Sequence, residues 1–157
     1  MLTVFFDYRG VVHSEFLPEG EIVNKEHYLG VMKRLRESIR RKPSRFVATQ
    51  LMDAAPSHTA IIVKEFLAKN STKVLDQALY SPDMAPSDFF LFPRLKLPLR
   101  GKRFESIKAI KENSLNELKA IPQIAYEKCM EDWVKRWRCC IASDGAYFEG
   151  DKINLVE

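Results

Sequence analysis

An α/β fold, with a mixed sheet flanked by helices, is the architecture this sequence predicts, and three observations lead to it. Two strand-like runs open the chain as a hairpin. Apolar residues then recur at helical spacing from Tyr28 to Ile39. Beyond that, strand-like and helix-like stretches alternate before helical stretches take over, the order expected of a sheet covered by helices.

Taken in order, residues 2–7 are rich in β-branched and aromatic side chains, Tyr8-Arg9-Gly10 supplies a turn, and residues 11–17 read as the second strand. Pro18-Glu19-Gly20 breaks it. Asn24 is placed to cap a helix in which Tyr28, Met32, Leu35 and Ile39 share a face, ending near Pro43. Residues 46–52 suit a buried strand, with Asp53 at its end. Ser57 is expected to cap the next helix, where Ile62, Phe66 and Leu67 share a face and Asn70 closes the end. Residues 72–75 make a brief strand, and residues 80–86, with Pro82 and Pro86, read as a loop. Ser87 is expected to cap a helix running to about Leu99, with Pro93 tolerated in its first turns. Helices are predicted over 106–120 and 122–141. In the last, Tyr126, Met130, Trp133, Trp137 and Ile141 form one stripe, read as core packing.

The 157 residues suffice for one domain with a real core, and 46% hydrophobic with 29% charged residues is ordinary globular composition. No internal repeat or inter-domain linker is evident. A net charge of +4 permits a nucleic-acid partner without demanding one. Cys129, Cys139 and Cys140 include no Cys-x-x-Cys pair, which argues against a zinc site and for a reducing, intracellular setting. No apolar run approaches a membrane span of about 18 residues, and the first residues lack the marks of a signal peptide.

Asp53 and Asp88 are the candidate chemical pair, with 34 residues between them. One follows a predicted core strand and the other sits in the first turn of a predicted helix. Strand ends and helix starts are where α/β folds expose reactive groups, and a helix N-terminus favours an ionised carboxylate. Two such carboxylates can hold Mg²⁺ or Mn²⁺, which prefer oxygen ligands. Spacing alone leaves open that both aspartates are turn and cap residues.

The words around them add to this. Asp53 lies in Asp53-Ala54-Ala55-Pro56-Ser57-His58, and Asp88 closes Tyr80-Ser81-Pro82-Asp83-Met84-Ala85-Pro86-Ser87-Asp88. These motifs resemble those of the mariner-type transposases of the Tc1/mariner superfamily. There the second catalytic aspartate lies in His-Asp-Asn-Ala-Pro-x-His and the third ends Tyr-Ser-Pro-Asp-Leu-Ala-Pro-Ser-Asp. Further similar stretches are Phe5-Phe6-Asp7-Tyr8-Arg9-Gly10, Asn24-Lys25-Glu26-His27-Tyr28, Arg136-Trp137, and Asp144-Gly145-Ala146-Tyr147-Phe148-Glu149. The resemblance thus spans essentially the whole chain.

It implies a ribonuclease H-like core of the DDE/D type, with Asp53 and Asp88 as catalytic metal ligands and His58 and Ser87 as motif residues. It also implies Mg²⁺ or Mn²⁺ as cofactor, with no small-molecule cofactor. The implied partner is DNA, as transposon ends and target, and the implied setting is the nucleus. A homodimer is a further expectation. The implied reaction is strand cleavage followed by strand transfer, catalysed by positioning and charge neutralisation.

This sequence departs from the family pattern in places. The first catalytic aspartate, carried in the family on the first central strand, has no counterpart here, so that strand is expected to be missing and the chain to be inactive alone. Asp7 is the tempting substitute but matches a hairpin-turn position. No helix-turn-helix region is present among these residues. Met52 and Ala54 replace the usual His and Asn, and loss of that amide weakens support for Asp53.

Between Lys33 and Arg45 lie seven basic residues, Lys33, Arg34, Arg36, Arg40, Arg41, Lys42 and Arg45, against one acid. Arg94, Lys96, Arg100, Lys102 and Arg103 form a second basic run without an acid. Each alone is ordinarily a solvated helix face. Beside a metal-carboxylate core, contact with DNA phosphates is the better reading. A metal-dependent transposase core therefore competes with a non-catalytic, sequence-tolerant DNA-binding remnant or domesticated interaction domain.

Overall fold

The computed structural model describes residues 1–41, 49–52, 56–76 and 81–146. They form β1 (Leu2–Asp7), β2 (Gly10–Phe16), α1 (Lys25–Arg41), β3 (Thr49–Met52), α2 (Pro56–Thr59), α3 (Ile61–Lys69) and β4 (Lys73–Asp76). A 3₁₀ turn (Pro82–Met84) and a π-turn (Ser87–Leu91) follow, then α4 (Phe92–Leu99), α5 (Ile107–Ala120) and α6 (Gln123–Ala142). The predicted order of elements is thus observed. Contacts divide the chain into two compact units, residues 1–6 with 11–81, and residues 7–10 with 82–157.

Both strand arrangements of a mixed sheet occur, as two separate two-stranded ladders among the described residues. β1 and β2 are joined by a tight turn and pair as a hairpin. Asp7 Oδ1 accepts the Arg9 N–H at 2.7 Å, and Gly10 takes φ +126°, a conformation that glycine alone adopts without strain. β3 pairs with β4 in parallel, Thr49 opposite Lys73 and Met52 opposite Asp76. Parallel neighbours need a crossover connection, and α2 and α3 provide it.

In the first unit the core is the face shared by α1 and α3: Tyr28, Val31 and Met32 against Val63 and Leu67, with Phe5, Leu35 and Phe66 packed around them. Complete burial of such side chains stabilises by about 1.5–3 kcal/mol each. Asn24 caps α1 as its sequence suggests, its Oδ1 accepting the His27 N–H at 2.7 Å. Asn70 closes α3, its Nδ2 donating to the Phe66 carbonyl at 2.6 Å. Ser57 does not cap a helix. It lies inside α2, and α3 begins after Ala60 with no side-chain cap.

In the second unit the buried residues come from the 82–91 stretch, α4, α5 and α6: Met84, Ala85, Phe90, Leu91, Leu95, Leu118, Tyr126 and Cys129 among them. Ser106 caps α5, its Oγ accepting the Ala109 N–H at 3.1 Å. Along α6 the predicted stripe is buried at Tyr126, partly buried at Met130, Trp133 and Trp137, and lost at Ile141, which is 77% exposed. Among the described residues, the apolar periodicity of α6 thus outruns the core.

Candidate functional site

The stretch leading to Asp88 is built from unusual turns. After the 3₁₀ turn, the Ala85 carbonyl accepts the N–H groups of both Asp88 (2.9 Å) and Phe89 (3.1 Å). The Phe92 N–H then reaches back five residues to the Ser87 carbonyl, which widens the helix by one residue. Pro93 gives a physical reason. In an unbroken α-helix its ring would meet the carbonyl four residues back, at Phe89, and the widened turn moves that carbonyl aside. Ser87 consequently does not cap the helix. Pro86 already has helical dihedrals (φ −55°, ψ −29°), and no side chain caps the turn.

Anchoring from α6 fixes this stretch from one side. The Trp133 indole N–H donates to the Met84 carbonyl at 3.0 Å, and Arg136 Nη1 donates to the Asp83 carbonyl at 3.0 Å. The Arg136 guanidinium also lies 4.4 Å over the Phe89 ring. Phe90 meets Tyr126 edge-on at 5.5 Å and carries the Arg94 guanidinium on its face at 4.9 Å. From Met84 to Leu91, Asp88 is the exposed residue; the others are buried or half-buried. The fold therefore presents one carboxylate to solvent from a tightly held segment.

Asp53, its expected partner, lies outside the described residues, as do Ala54 and Ala55. Among the described residues, no three His, Cys, Asp or Glu side chains gather to hold a metal ion. His58 stacks on the Tyr28 ring with centroids 4.0 Å apart, so its position at the start of α2 is tied to the core of the first unit. Asp7 serves the hairpin turn already described.

The basic residues fall into distinct situations. Arg34 is committed to Glu15, its Nε and Nη2 donating to the two carboxylate oxygens at 2.8 and 2.7 Å. Lys33, Arg40 and Arg41 are exposed on α1, with Arg41 3.9 Å from Glu37. Lys42 and Arg45 lie outside the described residues. In the second unit Lys96 stands 5.7 Å over the Phe92 ring, while Arg100, Lys102 and Arg103 are exposed in the segment between α4 and α5.

Sequence reasoning missed two features. One is the pair Trp133 and Arg136, whose separation of three on α6 is a signal that both serve one neighbour. The other is a polar cluster joining β2 to α1. His13 Nδ1 lies 3.1 Å from Ser38 Oγ, and its Nε2 lies 2.9 Å from the Glu15 carboxylate that Arg34 holds. The Arg34 hydrogen bonds lower the Glu15 carboxyl from 4.5 to about 2, against the opposing effect of burial and with a smaller contribution from His13.

Comparison with known proteins extends this geometry. Residues 1–49 match a family model described as transposase (partial DDE domain). The Mariner Mos1 transposase of Drosophila mauritiana is 36% identical over 154 residues, 95% of this chain. The histone-lysine N-methyltransferase SETMAR of Homo sapiens is 27% identical over the same length. The chain spans 45% of the first relative and 22% of the second. Among solved structures, the catalytic domain of Mos1 mariner transposase superposes with a TM-score of 0.86 at 36% identity, covering 94% of this chain and 74% of that one. A Mos1 paired-end complex with the left transposon end gives a TM-score of 0.86 at 37% identity, over 94% of this chain and 44% of that one. The Mos1 catalytic domain with raltegravir and Mn or Mg gives 0.86 at 36% identity, over 94% of this chain and 76% of each of those.

Proposed function

Because the chain belongs to the mariner-type transposases and matches their catalytic domain, we propose that it carries the core of a divalent-metal-dependent DNA strand-cleaving and strand-joining unit. Its fold is ribonuclease H-like, an α/β core with flanking helices. The observation that carries the functional reading is the presentation of Asp88, an exposed carboxylate on an otherwise buried and anchored turn.

In this reading Asp53 and Asp88 are the catalytic carboxylates, and both bind Mg²⁺ or Mn²⁺. The donor chemistry fits, since hard divalent cations take carboxylate oxygens. The Mos1 catalytic domain solved with Mn or Mg supports that choice of metal. The bound metal would neutralise phosphate charge and activate the attacking oxygen. The chain's own part is to hold the carboxylates in place and to gather the DNA backbone through exposed Arg100, Lys102 and Arg103, with Lys33, Arg40 and Arg41 as a second basic set. Arg34 is left out of that set because Glu15 occupies its fork. These 157 residues offer two of the three carboxylates such cores use, so alone they are expected to cut DNA far more slowly than a complete core. With DNA as the proposed substrate, the nucleus is the proposed setting. A homodimer is the proposed working form, which sedimentation analysis would test.

A nicking assay on supercoiled DNA with Mn²⁺ tests the reading. Cleavage abolished by Asp53→Asn and by Asp88→Asn supports it, and cleavage that survives both substitutions refutes it. The exposed basic segment between α4 and α5 favours a second reading, a non-catalytic DNA-binding domain. Salt-sensitive DNA binding with neither cleavage nor Mn²⁺ binding would select that one.

A further inference from the structure

We propose that Trp133 and Arg136 are positioning residues for Asp88, fixing the turn from which its carboxylate projects. The inference rests on the reading of Asp88 as a metal ligand and assigns roles to two α6 side chains outside the motif. Asp88 is tied on both sides in sequence. Upstream, the Met84 and Asp83 carbonyls are held by the Trp133 indole and the Arg136 guanidinium, each at 3.0 Å. The next residue, Ala85, uses its carbonyl to hold the Asp88 N–H at 2.9 Å. Downstream, Phe89 carries the same guanidinium on its ring at 4.4 Å.

Rotation of Asp88 about the turn would therefore break a bond to α6 or unstack Arg136 from Phe89. Both donors are rigid planar groups, better suited than a flexible ammonium to fix an angle. Metal–ligand distances tolerate errors of only about 0.2 Å, and loss of groups supporting a ligand commonly weakens a metal site about 10–100-fold. An ordinary stabilising contact has no need to hold two consecutive carbonyls and the ring after the ligand with donors three residues apart.

The test is Mn²⁺ binding to the full chain, read from the electron paramagnetic resonance signal of free Mn²⁺. Trp133→Phe keeps the ring and removes the N–H, while Arg136→Lys keeps the charge and removes the fork. Each is expected to weaken Mn²⁺ binding at least about tenfold with the melting temperature little changed. In an Asp88→Asn background neither is expected to weaken the residual binding further, because their effect passes through Asp88. Full Mn²⁺ affinity in Trp133→Phe and Arg136→Lys, with affinity lost in Asp88→Asn, overturns the positioning role alone. Equal weakening in both backgrounds also overturns it, since that marks a general structural effect. If Asp88→Asn binds Mn²⁺ like the unmodified chain, the metal reading itself falls and this inference with it.

Discussion

Replacing Glu15 by Gln should destabilise the first unit at neutral pH and leave it no less stable in strong acid. Glu15 on β2 receives two hydrogen bonds from Arg34 on α1, so the pair fastens the hairpin to the helix. Lowering its carboxyl from 4.5 to about 2 corresponds to about 3 kcal/mol as an upper bound. Arg34 is 52% exposed, so water screens the pair, and a loss of about 1–2 kcal/mol is the working expectation. The sign follows from a depressed folded-state value. The contribution is complete above about 4.5 and disappears as pH falls toward about 2. Urea unfolding at a series of pH values measures it, followed by far-UV circular dichroism because both tryptophans lie in the other unit. The gap between the unmodified chain and Glu15→Gln should be widest near neutrality, shrink through that window, and narrow with added salt. A gap that stays constant from pH 7 to pH 2, or that is absent at pH 7, would refute the reasoning.

Other outcomes can be checked more briefly. Asn24→Ala removes the cap of α1 and should cost about 1 kcal/mol in denaturant unfolding. Burial pushes the Cys129 thiol up to about 12, so at pH 8 a thiol reagent should label the half-buried Cys139 and Cys140 well before Cys129, which should react only on unfolding. Arg100→Glu with Arg103→Glu should weaken DNA binding and flatten its dependence on salt, as measured by fluorescence anisotropy between low and moderate ionic strength; an unchanged salt slope would rule out these phosphate contacts.

What could be foreseen from the sequence was local. Asn24 caps its helix because an amide oxygen three residues ahead of a free N–H needs no distant partner. The apolar spacing from Tyr28 to Leu35 found the buried face of α1 for the same reason. Ser57 and Ser87 misled because a proline stands before each. Pro56 opens α2 and Pro86 already has helical dihedrals, which places both serines inside a turn. The widened turn at Asp88 depends on how Pro93 clashes with a particular carbonyl, which periodicity does not register. Trp133 was legible as an apolar member of a stripe, but its N–H partner lies 49 residues away, and only the folded chain pairs them. His58 was recognisable as a motif residue, whereas its stacking on Tyr28 joins two elements far apart in sequence. Of the two motif aspartates, the described residues place Asp88 and leave Asp53 outside.

The five-residue turn from Ser87 to Leu91 has a consequence for how this part of the protein tolerates change in length. Such a turn is an α-helix with one residue inserted, and each residue advances a helix by about 100°. Deleting a residue between Phe89 and Leu91 would remove the extra residue, press the Pro93 ring against the carbonyl four residues back, and swing the following helix by that angle relative to the carboxylate. Leu95, now 6% exposed, would turn away from the interior. The segment should therefore reject the loss of a single residue even where every remaining side chain is kept.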